Sequence, residues 1–476
     1  MSDFWYGFRK QALLRPDVEL QDQQTRVKKK LDRSGGLLVY HGLGSGKTLT
    51  AINATQGGKT DVVVPASLRN NFRKEVSKYT TGYHPEIMSY DKAMKDPERG
   101  GKNLVIDEAH NLGHSSSQRS QKIQQLAKNY DKRLLLTGSP IRNHPSELAP
   151  LIAAVRGDRA VPTDPKAFSE QYIQEHQHEP GFFAKHFRGV KPGTTYSIKN
   201  RDRLAKALDG YVDYHAPSSK DFPSVSHELL ETPMDKEQMK FYDFVLDKAG
   251  PGIAYKIRNG LPPSKSEATS LNAFLSGVRQ ISTSTKAFGG TGVSPKIMKA
   301  VSELERRHKT DPNFRGLVYS NHLDSGVKSY AEELAKRNIT HGIFSGELND
   351  KERKQVVDDY NNGKLSTLLI SAAGSEGIDL KGTKLVQLLD SHFHSNRNKQ
   401  AMGRGIRYKS HAHLPEDQRH VHVQTYHSLV PKTFMQHVLR QNPDLSADQY
   451  LDQMSKRKDA LNSQFLDVLK EVGQRE

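Results

Sequence analysis

Short apolar runs alternating with amphipathic helical stretches, repeated in two separated regions, predict an α/β protein built on two parallel sheets in tandem. The first set of runs is Leu37–Tyr40, Val62–Val64, Leu104–Ile106 and Leu134–Leu136, and the second is Gly316–Tyr319, Thr367–Ile370, Leu385–Leu389 and Val421–Val423. Stretches of helical period lie between them at Asn70–Tyr79, Lys122–Tyr130 and Lys351–Asn361. Roughly 180 residues separate Gly138 from Val318, far more than a connection needs. That interval has helical periodicity at Arg203–Leu208, Lys236–Asp247 and Ser270–Gln280, so it reads as a helical insert.

The expected organisation is a first lobe over residues 1–232 whose insert begins after about 150. A second lobe covers 233–430, with insert up to about 290, and a helical tail covers 431–476. Leu451, Met454, Leu461, Phe465 and Val468 share one side of the tail, a stripe expected to dock on a lobe.

At 476 residues the chain exceeds one ordinary core. Lys+Arg 71 against Asp+Glu 54 gives a formal charge of +17, which favours a polyanionic partner. The absence of cysteine excludes disulfides, thiol catalysis and cysteine-ligated zinc. The segment Met1–Arg9 is unlike a secretory leader and no apolar run reaches membrane-spanning length, so a soluble protein that stays where it is made is expected.

The run Leu37–Tyr40 leads directly into His41-Gly42-Leu43-Gly44-Ser45-Gly46-Lys47-Thr48 and then a helix-like stretch. Glycines there let backbone amides face a phosphate at a helix N-terminus. Lys47 would reach the β/γ-phosphates of ATP, and the Thr48 hydroxyl would bind Mg2+. Gly42, Gly44, Ser45 and Gly46 form the cradle, and His41 stands where the general pattern has glycine. A second run, Leu104-Val105-Ile106, ends in Asp107-Glu108-Ala109-His110. Carboxylates there sit where parallel sheets place ligands. Asp107 would hold Mg2+, and Glu108 would orient or deprotonate an attacking water. Leu134–Leu136 runs into Thr137-Gly138-Ser139-Pro140, whose hydroxyls can hydrogen-bond near His110.

In the second region, Ser371–Leu380 is a run of small, hydrogen-bonding residues suited to a phosphate backbone, and Gly377 within it is a candidate nucleotide contact. Gln400–Arg407 then places Arg404 and Arg407 one helical turn apart, where either could face a γ-phosphate from across a cleft. Gln24, upstream of the loop, could read an adenine edge, whereas Lys28, Lys29 and Lys30 read as a solvated helix face. The pairs His392/His394, His411/His413 and His420/His422 lack a third ligand at metal-site spacing. Trp5, Tyr6 and Phe8 read as an apolar cap.

These motifs, in this order, resemble the superfamily-two helicases and, within them, the Swi/Snf-type translocase branch. Pro65-Ala66-Ser67-Leu68, Ser89-Tyr90, Thr137–Asn143 with Glu147-Leu148, and Ser294-Pro295-Lys296 carry that resemblance. Gly210–Tyr214, Phe222-Pro223, Gly374–Asp379 and Arg404–His411 are similar to the nucleoside triphosphate phosphohydrolases of large DNA viruses. The segment after Arg407 lacks the Ile-Gly-Gln of chromatin remodellers, which puts nucleosomes in doubt as a substrate. The resemblance implies two tandem RecA-like lobes, with a helical insert and tail, that hydrolyse ATP with Mg2+ while stepping along double-stranded DNA. It matches Ser67, Ser89, Asn321 and Ser371 to backbone contacts. It leaves open a strand-separating or branch-migrating helicase, and an accessory ATPase acting with RNA polymerase.

Overall fold

The computed structural model describes residues 13–42, 44–113, 116–157, 160–216, 222–290, 292–371, 378–390, 401–407, 409–433, 436, 438 and 443–475. The contacts divide the chain into two compact units. Unit 1 is Met1–Gln174, Tyr196–Ser218 and Ala460–Glu476, and unit 2 is Glu175–Thr195 and Ser219–Asp459.

The strands that build the molecule, in chain order, are β1 (Gly36–His41), β2 (Thr60–Val64), β3 (Glu86–Ser89), β4 (Gly101–Ile106) and β5 (Tyr130–Thr137). A ribbon of β6 (Ile173–His178) and β7 (Gly193–Ile198) follows, and then β8 (Val212–His215). Unit 1 holds a six-stranded sheet in the order β8-β1-β5-β4-β2-β3, every pair parallel. Its central strands are buried on both faces, which is why they read as continuous apolar runs. Successive residues point to opposite faces. Leu37 and Val39 therefore pack with Val62, Val64, Leu134 and Leu136, while Leu38 packs with Leu104, Ile106 and Leu135.

Unit 2 adds β9 (Ser224–Pro233), β10 (Gly316–Ser320), β11 (His341–Phe344), β12 (Thr367–Ser371), β13 (Leu385–Leu388) and β14 (His420–Leu429). They form a second six-stranded sheet in the order β9-β14-β13-β10-β12-β11, again parallel throughout. Together with the flanking helices these sheets make two tandem RecA-like lobes. A helical layer in unit 2, including Lys236–Lys248 and Ala268–Thr283, has its own core of Tyr242, Leu246, Leu275 and Val278.

The tail is one helix, Ala447–Gly473. Its stripe does dock, but into two different cores. Tyr450, Leu451 and Met454 join the helical layer of unit 2. Leu461, Phe465, Val468, Leu469 and Val472 join the core of unit 1.

Candidate active site

Parallel strands of unit 1 end together, and the chemistry sits at those ends. Tyr40 pairs with Thr137, Ile106 with Leu135, Val63 with Ile106 and Val64 with Ser89. After β1 the backbone turns through Gly44 and Gly46 at φ +76° and +72°, a left-handed path that favours glycine. A Cβ on Gly46 would lie 2.7 Å from the Gln24 amide. Ser45 Oγ donates to the Gly42 carbonyl at 2.8 Å. The helix Lys47–Ala54 then begins, with Thr48 as its second residue. Lys47 Nζ donates back to the carbonyls of His41 (3.2 Å) and Gly42 (3.0 Å). Burial lowers the Lys47 pKa, against the pull of Glu108 and Asp107. A half-buried ammonium resting on neutral carbonyls, inside a glycine curl at a helix N-terminus, fits an oligophosphate.

Asp107 follows β4, and its amide donates to Val63 O at 2.8 Å. Burial first, and the Glu108 charge second, push its carboxyl up to about 6. Glu108 N donates to Asp107 Oδ1 at 2.9 Å. Glu108 itself sits at φ +50°, a left-handed conformation costly for a residue with a Cβ. Tyr90 Oη pins the strained peptides by donating to the carbonyls of Asp107 (2.8 Å) and Glu108 (3.1 Å).

His110 Nε2 meets the guanidinium of Arg142, and Nδ1 lies 2.8 Å from Thr137 Oγ1 and 3.3 Å from Glu108 Oε2. Burial and Arg142 push the ring down to about 3, so it is neutral. Because Arg142 can only donate, the ring proton belongs on Nδ1, aimed at Thr137 and Glu108. Thr137 Oγ1 also accepts from Ser139 N at 3.1 Å. Of the expected cluster, Thr137 meets His110 through its hydroxyl, while Ser139 joins through its backbone amide. Gln24, the candidate adenine reader, is buried. Its Oε1 accepts from Gln21 N at 3.0 Å as a helix cap.

Ser67 is exposed on the turn Ala66–Leu68 after β2, and Ser89 Oγ caps the next helix by accepting from Lys92 N. In unit 2, Asn321 follows β10. Its amide donates to Asp390 at 2.6 Å, and its Oδ1 accepts from Tyr319 Oη at 2.9 Å. Ser371 ends β12 opposite Ser320 and is buried. All four thus lie at or just past the carboxyl ends of strands.

Arg404 lies in the helical segment 401–405, and its carbonyl accepts from Leu380 N at 3.3 Å. Arg407 lies beyond that helix, its Nη1 donating to Ile378 O at 3.1 Å. The expectation of two arginines on successive turns of one helix is corrected here. Arg407 is held in a turn with Ser410, whose Oγ accepts from Arg407 N at 3.2 Å. Gly377, His392, His394, Trp5, Tyr6 and Phe8 lie outside the described residues.

Comparison with known families gives two matches: an SNF2-related domain over residues 81–287 and a helicase conserved C-terminal domain over 296–409. The chain carries an SNF2-related and a helicase C-terminal domain and is a nucleic-acid-dependent ATPase. Its use of nucleic acid and of ATP follows from those domains. It is 27% identical over 95% of its length, and 97% of the relative's, to a protein described as an ATP-dependent RNA helicase of Acanthamoeba polyphaga mimivirus. It is 23% identical over 92% of its length, and 76% of the relative's, to a termination factor NPH-I homologue of African swine fever virus. Among solved structures, a Sulfolobus solfataricus SWI2/SNF2 ATPase core in complex with dsDNA matches 87% of this chain and 88% of its own, at 17% identity and TM-score 0.36.

The site has support that sequence reasoning missed. Asp213, on edge strand β8, is fully buried and accepts from Arg26 Nε (2.7 Å) and Nη2 (3.0 Å). It also lies 2.7 Å from His41 Nε2 and 3.2 Å from Lys30 Nζ. Burial alone would raise its pKa, but His41 and Arg26 hold the carboxyl down at about 2. Lys30 is therefore not a solvated face residue. It is buried, and it donates to the carbonyl of Gly473 at the end of the tail helix at 3.1 Å. The signal available beforehand was the Gly210–Tyr214 stretch and the histidine that replaces glycine at the start of the phosphate loop.

Proposed function

We propose that this ATPase translocates along double-stranded DNA and displaces or remodels what is bound there. The observation that carries the reading is the placement of Ser67 and Ser89 at the strand ends that also present Lys47, Asp107 and Glu108. A nucleotide-dependent change at those ends would act directly on residues that touch a phosphate backbone. In this reading Lys47 and the loop amides bind the phosphates, Thr48 and Asp107 hold Mg2+, and Glu108 orients or deprotonates water. Bound Mg2+ would polarise the γ-phosphate and neutralise developing charge. Arg404 or Arg407 contributes a positive charge from the second lobe. The neutral His110, bridging Glu108 and Thr137, links the water-side carboxylate to the β5 turn.

The NPH-I homologue is described as a termination factor, which supports a second reading: an accessory ATPase acting with RNA polymerase. The mimivirus relative's description as an RNA helicase makes RNA a required arm of any test. The experiment is the ATPase rate with duplex DNA, single strands and RNA in parallel, beside triplex-displacement and forked-duplex assays. Strongest stimulation by duplex with triplex displacement supports translocation. Unwinding of the fork without triplex displacement replaces it with strand separation, and stimulation by RNA alone rejects DNA as the track.

A further inference from the structure

The helix Phe182–Arg188 stands between the two strands of the ribbon β6/β7, within unit 2. It is anchored by buried Ala184 and Val190 and closed by Gly189 at φ +61°. Its three phenylalanines point the other way: Phe182, Phe183 and Phe187 are 67%, 75% and 76% exposed. Most phenylalanines in a folded chain are covered, so three bare rings in six residues need an occupant. The rings are ordered against each other. Phe183 and Phe187 lie near-parallel, 5.8 Å apart at 23°, and Phe182 meets Phe183 edge-on at 5.9 Å and His186 at 4.4 Å.

The chemistry around the rings selects the occupant. Residues 180–192 contain Lys185, Arg188 and Lys191 and no Asp or Glu. The neighbouring Glu179 is committed to Lys185 at 2.9 Å. The Arg188 guanidinium lies over the Tyr255 ring at 4.9 Å, keeping a cation fixed at one side of the patch. No aliphatic side chain is exposed among these residues, as Ala184 and Val190 are both buried. Flat aromatic faces ringed by cations, without aliphatic surface, complement nucleobases joined by phosphates better than an apolar protein groove.

We propose that Phe182–Arg188 is a stacking platform for unpaired nucleobases, with Arg188 and Lys191 holding the flanking phosphates. This rests on the nucleic-acid-dependent reading above and adds a base contact to a motor whose other candidate contacts are to the backbone. The platform would engage a strand already opened, at a junction or a bubble.

The test uses the full chain, fluorescent single-stranded and duplex oligonucleotides, and a single strand carrying 2-aminopurine. Phe183→Ala and Phe187→Ala should each weaken single-strand binding about tenfold to a hundredfold, the range lost when a stacked base loses its aromatic partner. Duplex affinity and basal ATPase should not change. Wild type should quench 2-aminopurine, the alanine variants should not, and Phe187→Trp should restore both affinity and quenching. Unchanged single-strand affinity in the alanine variants overturns the platform, as does an equal loss for single strand and duplex. Loss of self-association with nucleic-acid binding intact would assign the patch to a protein contact instead. A wild-type chain that binds neither single strand nor duplex defeats the nucleic-acid reading itself, whereas intact duplex binding with unaffected variants defeats only the platform.

Discussion

Glu108 combines a left-handed backbone with a carboxylate held 3.3 Å from a neutral histidine. Strain of that kind persists where the surroundings over-determine it, and here two hydrogen bonds from Tyr90 do so. Glu108→Gln keeps the shape and removes the carboxylate proposed to act on water. It should retain ATP binding while turnover falls on the order of a hundredfold or more, measured by nucleotide binding beside phosphate release. Asp107 supplies a pH dependence. Its carboxyl is raised to about 6, so it gains a proton as pH falls through that value and ceases to be available to a cation. The acid limb of kcat/KM should therefore fall near pH 6, and Asp107→Asn should be low and flat across it. Both residues were legible in the sequence because Leu104–His110 is a local string whose meaning depends only on ending a buried strand. The strain at Glu108 was not legible, because φ is set by Tyr90, whose contact arises from the fold.

At the scale of elements, Asp213 ties edge strand β8 to the helix Asp22–Ser34 and to the start of the phosphate loop through Arg26, Lys30 and His41. Asp213→Asn leaves the buried Lys30 and the half-buried Arg26 without their counter-charge and should cost about 3 kcal/mol of stability, read by denaturant unfolding. The sign with pH follows from a folded pKa near 2 against an unfolded one of about 3.9. The stabilisation is fully present above pH ~4 and is lost as pH falls through about 2. Wild type and variant should thus differ at neutral pH and converge in acid. The strands themselves could be read from the sequence, since each parallel strand buried on both faces is a continuous apolar run. The Asp213 hub could not, because its partner Arg26 lies 187 residues away and a lysine run looks the same whether it is solvated or paired.

For the whole molecule, the proposed function draws on arginines of unit 2, whereas Lys47 belongs to unit 1. Arg407→Ala should leave ATP affinity nearly intact and cut nucleic-acid-stimulated turnover on the order of a thousandfold, as loss of an arginine finger does. Arg404→Ala measured beside it identifies which arginine carries the effect. The formal +17 implies that binding to nucleic acid is dominated by phosphate contacts. The logarithm of affinity should therefore fall linearly with that of salt, by about 0.9 per contact. The tail helix carries one more consequence. The sheet of unit 1 receives its last strand at His215, yet Leu461, Phe465, Val468 and Val472 complete one of its faces. A ribosome therefore delivers the whole second sheet before the first can be sealed. During synthesis the nucleotide-binding lobe waits with an apolar face open, so its folding is tied to completion of the rest of the chain and a stalled nascent chain would be a natural client for a chaperone.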